Sequence, residues 1–187
     1  AIPEDKLAAY LQDERRAVYR QSICNTARAR SHTLDADRER MLAMLGDAAG
    51  SPSNSFDMLE AVDMTFPEIT DEKGEKVALT HGNFSVYRES TDRRVRREAF
   101  ETYFGEFAKF QNTLAAMYGG SVKFDCYYAD VRGFDSALAR ALFASNVPVS
   151  VYDALVEAVH GGLPTMRRYL DLRRRVLGLD ELHLYDL

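Results

Sequence analysis

STDRRVRREAFETYFGEFAKF, Ser90–Phe110, sets four arginines (Arg93, Arg94, Arg96 and Arg97) ahead of five aromatic rings. A nucleic-acid-binding segment and a plain amphipathic helix both have that composition, and spacing separates them. From Asp92 onward the apolar positions are Val95, Ala99, Tyr103, Phe107, Phe110, Leu114 and Met117, every step three or four residues. That periodicity predicts a single long helix, with Gly119-Gly120 ending it. Glu98 and Glu101 stand four residues beyond Arg94 and Arg97, so the charges compensate along the helix. The aromatics then form its dry side. Arginines in a first turn mildly oppose the helix dipole, a hint of acidic partners elsewhere.

Working outward, the pattern stays mostly helical. Pro3, Glu4 and Asp5 suit a first turn, and Leu7, Leu11, Val18 and Ile23 give one helix with a broken stripe. Thr33 is the expected cap of a second helix with Met41, Met44, Leu45 and Ala48 on its dry face, and GSPSN (Gly50–Asn54) is expected to stop it. Ser53 then caps a short helix carrying Phe56, Leu59 and Val62. At Met64 the texture changes: MTFPEITDEKGEKVALT reads as two short strands joined by Asp71-Glu72-Lys73-Gly74, with Gly74 at positive φ. Pro67 puts the first strand on an edge. Two strands alone are marginal in water, so the hairpin is expected to pack on helices or to pair with strands beyond this segment. Farther on, Ser150 and Asp153 form a Ser-x-x-Asp box opening another helix, which Gly161, Gly162 and Pro164 should kink or break. The fold class is therefore mostly α with one small antiparallel hairpin.

Composition weighs against several functions. The net charge of -5 over 187 residues has the wrong sign for a dedicated nucleic-acid binder. The second basic cluster, Arg167, Arg168, Arg173, Arg174 and Arg175, is interleaved with Leu170, Leu172 and Val176 and reads as another wet helix face. Cys24 and Cys126, far apart and outside any CxxC motif, read as free thiols of a reducing, cytoplasmic compartment. No apolar run is long enough for a membrane span, the start lacks a signal peptide's regions, and both ends look cut from a longer chain.

Catalytic signatures are also missing. His32, His81, His160 and His183 include no pair at i, i+4, so His-Glu-x-x-His is absent. Glu157-Ala-Val-His160 fits one half of a bundle di-iron site, but such sites need a second copy and two more inward carboxylates. Asp180-x-x-His183, in a turn, is a poor second. Gly-x-Ser-x-Gly is absent, and neither Gly119-Gly120 nor Gly161-Gly162 has phosphate-loop spacing. From the residues, catalytic and metal positions are none and substrate-binding positions are unknown.

Five blocks nevertheless resemble oligoendopeptidase F, a cytosolic zinc metalloendopeptidase family related to thimet oligopeptidase. They are SHTLDADRERMLA (31–43), SPSNSFDMLEAVDMTFPEI (51–69), LTHGNFSVYRESTDRRVRREAFETYF (79–104), YYADVRGFDSALARALFASNVPVSVYDALVEAV (127–159) and LPTMRRYLDLRRRVLGLDELHLYDL (163–187), in the family's order and with small gaps. The resemblance implies a piece of a longer enzyme. Residues 1–64 would be the latter part of a helical N-terminal domain, and residues 65–187 the hairpin and opening helices of the peptidase domain. The family's zinc ligands lie on a motif with no counterpart here, so zinc belongs to the parent enzyme and none to this segment. Partners would be the remainder of the peptidase domain and short peptides, with no nucleic acid and no membrane. The hairpin is expected in or near a sheet bordering the cleft, where a peptide aligns by strand addition, and VRGFDSAL and NVP are candidates for the cleft wall. On this view the segment is an inactive scaffold. The rival from another class is a stand-alone helical interaction module whose arginine-rich faces bind an acidic partner.

Overall fold

The computed structural model of the chain describes residues 3–187, the side chain of Glu4 excepted. Its elements in order are α1 (Glu4–Gln12), a 3₁₀ segment (Glu14–Tyr19), α2 (Arg20–Ala29), a short 3₁₀ turn (Arg30–His32), α3 (Ala36–Met44) and α4 (Gly46–Met58). A π-type turn (Leu59–Asp63) leads into strands β1 (Glu68–Thr70) and β2 (Lys76–Ala78). After them come α5 (Phe84–Arg88), α6 (Arg93–Lys109), α7 (Gln111–Val131), α8 (Ala137–Phe143), α9 (Val149–Val176) and a closing 3₁₀ turn (Leu184–Asp186). The mostly helical class with one small antiparallel hairpin is borne out.

The hairpin follows its sequence closely. Glu68 pairs with Ala78, Ile69 with Val77 and Thr70 with Lys76, antiparallel. Asp71 fixes the turn: its Oδ1 accepts from the backbone N–H of Lys73 and of Glu75, while Gly74 takes φ +84°. The strands rest on α6 as expected. Ile69 and Leu79 are buried with Ala99 of α6, and Phe66, Val77, Phe84, Tyr87 and Tyr103 pack around them. Tyr103 lies between two stacked rings, Phe66 at 4.7 Å and Phe84 at 4.0 Å between centroids. Val95, one turn before Ala99 on α6, is fully buried.

Several helix boundaries differ from the sequence pattern, each for a local reason. The expected single N-terminal helix is two, because Asp13 restarts the chain: its carboxylate caps the Arg15 N–H and pairs with the Arg15 and Arg16 side chains. Val18 is left exposed. The cap of α3 is Asp35, not Thr33. Asp35 Oδ1 accepts from Arg38 N–H at 2.9 Å and Glu39 reaches back to Leu34 N–H at 3.0 Å, whereas the Thr33 hydroxyl bonds to the Ala29 carbonyl. On α3 it is Leu42 that is buried, while Met41 and Met44 are exposed.

GSPSN does not stop a helix, and Ser53 does not cap one. α4 runs through it with Pro52 inside, and the interruption falls at Leu45. The long helix from Asp92 is likewise two: helical bonding lapses at Phe110 (φ -105°, ψ 14°) and resumes in α7. Apolar periodicity has the same phase on both sides of Phe110, so it carries no mark of the break. Gly119 and Gly120 lie inside α7, where a Cβ on Gly120 would stand 3.1 Å from Pro52 Cγ. Gly120 is small because α4 crosses there. Finally, α9 starts at Val149 behind Pro148 with no side-chain cap, so the Ser150–Asp153 box is not used. α9 continues unbroken through Gly161, Gly162 and Pro164. A lost bond at one proline, about 3 kcal/mol, is outweighed by the helical bonding on either side of it in a 28-residue helix.

Candidate functional site

The four arginines of α6 are all engaged within the chain. Asp92 caps the helix through Arg94 N–H at 2.9 Å, and the expected pairs form, Arg94–Glu98 at 3.1 Å and Arg97–Glu101 at 2.8 Å. The acidic partner that the first turn requires is Asp186, ninety residues away and fully buried at its side chain. Its Oδ1 accepts from Arg93 Nε (3.0 Å) and an Arg96 guanidinium nitrogen (2.9 Å), and its Oδ2 from Arg93 (2.9 Å) and His183 N–H (3.0 Å). Four donors meet the four acceptor sites of one carboxylate. The Arg93 guanidinium, then Arg96 and the His183 N–H, hold this carboxyl far below the usual range against the opposing effect of burial. Arg173 of α9 joins through the Asp186 carbonyl at 2.6 Å. An arginine-rich face so consumed has little left for a nucleic acid or acidic partner. Periodicity alone could not find Asp186.

The hairpin has one closed edge and one open edge. Asp71 N–H bonds to the Glu75 carbonyl at 3.0 Å, so by antiparallel alternation Thr70 and Glu68 turn their backbone groups away from β2. Glu98 accepts the Thr70 N–H at 3.0 Å and Arg94 donates to the Thr70 and Asp71 carbonyls, which closes β1 against α6. On β2, Lys76 and Ala78 face outward, and the Asn83 side chain takes the Ala78 carbonyl at 2.9 Å. An extended segment could pair only along β2. Beside the hairpin, His81 Nε2 donates to the Glu60 carbonyl and Nδ1 accepts from the Tyr103 hydroxyl, both at 2.9 Å, with the Glu60 carboxylate 3.5 Å from Nδ1. The carbonyl only accepts, so Nε2 carries a proton, and these roles are those of the neutral imidazole. Burial, with the Glu60 charge, raises the Tyr103 hydroxyl above its ordinary range.

VRGFDSAL meets the N-terminal helices. His32 Nδ1 donates to the Arg132 carbonyl at 2.8 Å, its ring stacks on Phe134 at 3.6 Å, and Arg132 returns a bond to the His32 carbonyl at 3.0 Å. Arg132 also clasps Glu39 through both nitrogens, at 2.8 and 2.9 Å, which lowers the Glu39 carboxyl below its ordinary value. Nearby, Arg28 reaches the Phe143 carbonyl and the side chain of Asn146, just before NVP. These residues bind segments of the chain together. The other candidates stay apart: Glu157 and His160 are exposed on α9, His183 lies beside Glu181 and Tyr185, and Cys24 and Cys126 are free and exposed. Among the described residues no three His, Cys, Asp or Glu side chains come together to hold a metal, so these residues do not fit a zinc site. An apolar groove of 530 Å³ runs between α4 and α7, lined by Pro52, Phe56, Phe107, Leu114, Met117 and Tyr118.

Against known proteins, a family model described as Oligopeptidase F matches residues 1–66, and the model of Peptidase family M3 matches residues 86–187. The chain belongs to peptidase family M3. Within that family it is 40% identical to Bacillus subtilis oligopeptidase PepF over 188 aligned positions, covering all of this chain and 28% of PepF. It is 40% identical to the group B oligopeptidase PepB of Streptococcus agalactiae over 155 positions, 83% of this chain and 26% of PepB. The crystal structure of oligoendopeptidase-F from Enterococcus faecium superposes with a TM-score of 0.91 at 38% identity, over 99% of this chain and 36% of that one. A putative peptidase from Chlamydophila abortus gives 0.91 at 27% identity, over 100% and 31%. The oligoendopeptidase F resemblance is thus borne out. This M3 chain spans under a third of the length of PepF and of PepB. No helix among its described residues is long and apolar enough to cross a membrane.

Proposed function

We propose that this M3 segment is scaffold and cleft wall of a cytoplasmic zinc-dependent endopeptidase that hydrolyses peptide bonds in short oligopeptides. The observation that carries the proposal is the end-to-end likeness to oligopeptidase PepF, 40% identical over 100% of this chain, at 28% of PepF's length. Residues 1–64 act as the latter part of the helical N-terminal domain, and 65–187 as the hairpin and opening helices of the peptidase domain. The matches to residues 1–66 and 86–187 support that division. Its partners are the remainder of the peptidase domain and, in the whole enzyme, short peptides. Zinc would be held by residues outside this chain and would polarise the scissile carbonyl and activate water there. The residues of this chain contribute position: α6, fixed by Asp186 and the hairpin, and α9, held near its C-terminal end through Arg173.

The test compares the 187-residue chain with a chimera in which it replaces the matched segment of PepF. The isolated chain should retain no stoichiometric zinc after dialysis and cleave no quenched fluorescent peptide, while the chimera should do both. Metal-dependent turnover by the isolated chain, or a folded, zinc-loaded chimera without turnover, overturns the proposal.

A further inference from the structure

One helix, α9, carries a continuous exposed apolar face. Tyr152, Leu155, Val156, Val159, Leu163 and Met166 follow one another at steps of one, three or four residues and so fall on one face. All six are exposed, from 37% at Val156 to 61% at Leu155. The opposite face carries Asp153, Glu157, Arg168, Asp171 and Arg175. A helix polar on one side and apolar on the other is built to be covered on one side only. Among the described residues its contacts with other elements are at the helix ends: α8 packs at its start, and Arg173 and Arg174 bond to the Asp186 and Leu179 carbonyls near its end. The bare stripe spans about 21 Å at 1.5 Å per residue, four turns of helix. That exceeds the scattered apolar side chains of an ordinary surface.

We infer that this stripe is the docking surface for an amphipathic helical segment of the part of the M3 peptidase fold that lies outside the present chain. This rests on the proposed function and adds to it which face of which helix makes the joint. The occupant is argued from length and charge. This chain accounts for 36% of the Enterococcus faecium enzyme it superposes on at a TM-score of 0.91, so most of that fold is available to cover α9. Arg167 borders the stripe one turn beyond Leu163 and has no hydrogen bond or ion pair among the described residues. The docking segment accordingly has an apolar stripe of about four turns and a carboxylate opposite Arg167. The charged face of α9 remains wet.

Amide hydrogen exchange along α9, in the isolated chain and in the PepF chimera, tests this independently of peptidase activity. Amides from Tyr152 to Met166 should exchange at least about 100-fold more slowly in the chimera. Leu155→Glu with Val159→Glu should abolish that protection, and the charge-reversing pair Asp153→Lys with Glu157→Lys on the wet face should keep it. The milder Leu155→Ala with Val159→Ala should weaken protection about 10-fold and keeps the test readable should the glutamates prevent folding. Equal exchange in both proteins overturns the inference, as does protection lost only through the wet-face pair. Concentration-dependent protection in the isolated chain, with dimers by sedimentation, overturns it in favour of a second copy. Protection in an inactive chimera would sustain the joint while the proposed activity failed.

Discussion

Asp186 shows how much a single buried carboxylate can organise. It takes four charged or polar donors from α6 and the closing turn, and its own carbonyl holds Arg173 of α9. Asp186→Ala leaves Arg96, 13% exposed at its side chain, without its counter-charge. Breaking a buried pair from one side costs about 3–5 kcal/mol, and because Arg93 is half-exposed the lower end is expected, read as a fall in the denaturant midpoint. Asp186→Asn should cost less, since two acceptor–donor contacts survive. The pH dependence has a definite sign. The folded-state pKa is depressed below the unfolded value of about 3.9, so the stabilisation is fully present above about pH 4 and is lost as pH falls below it. The stability gap between the native chain and Asp186→Asn should therefore narrow on acidification below about pH 4 and stay constant from pH 5 to 7. A gap that widens in acid would rule out the carboxylate as the stabilising group. The sequence showed the need for such an acid, through the unfavourable arginines in the first turn of α6, but a contact across ninety residues has no local signature.

At the scale of elements, what was legible was local and what was not was tertiary. The hairpin could be read because Asp71 and Gly74 fix its turn within five residues. The start of α6 and its i, i+4 ion pairs could be read for the same reason. The helix through GSPSN could not. Proline and serine oppose it locally by a few kcal/mol, and packing against α7, invisible in the sequence window, holds it. The metal and catalytic groups offered no comparable signal at any scale, and the family likeness came from blocks spread over the whole chain. The crossing of α4 over α7 gives a paired test. A Cβ on Gly120 meets Pro52 Cγ at 3.1 Å, whereas one on Gly119 meets nothing within 4 Å. Gly119→Ala should stabilise by about 0.5–1 kcal/mol through helix propensity. Gly120→Val should destabilise by about 1–3 kcal/mol through overpacking against a ring on another helix. Thermal unfolding of the two variants decides it, and equal shifts for both would mean that the crossing is loose.

For the molecule as a whole, the question is whether the two matched stretches, 1–66 and 86–187, behave as two bodies or one. Besides the Phe66–Tyr103 ring stack, three joints cross between them. Pro52 seats on Gly120 where α4 meets α7, Arg132 clasps Glu39 and exchanges bonds with His32, and His81 links the Glu60 carbonyl to the Tyr103 hydroxyl. Arg28 adds a fourth through Phe143 and Asn146. By contrast, the covalent connection passes through the hairpin tip, Glu72–Glu75, which is exposed. Exposed tips tolerate insertion and cleavage because little packing depends on them. A site for a specific protease placed between Lys73 and Gly74 should therefore be cut without separating the pieces. They should elute together in size-exclusion chromatography in low salt. In about 1 M salt, where exposed ion pairs are screened, the α4–α7 packing should still hold them, since screening leaves apolar contact intact. Adding Glu39→Ala and His32→Ala to the nicked chain should then release the N-terminal piece at lower denaturant than the nick alone. Pieces that part on cleavage in plain buffer would show that these joints, together with the β1–β2 pairing, cannot hold the two pieces without the covalent link.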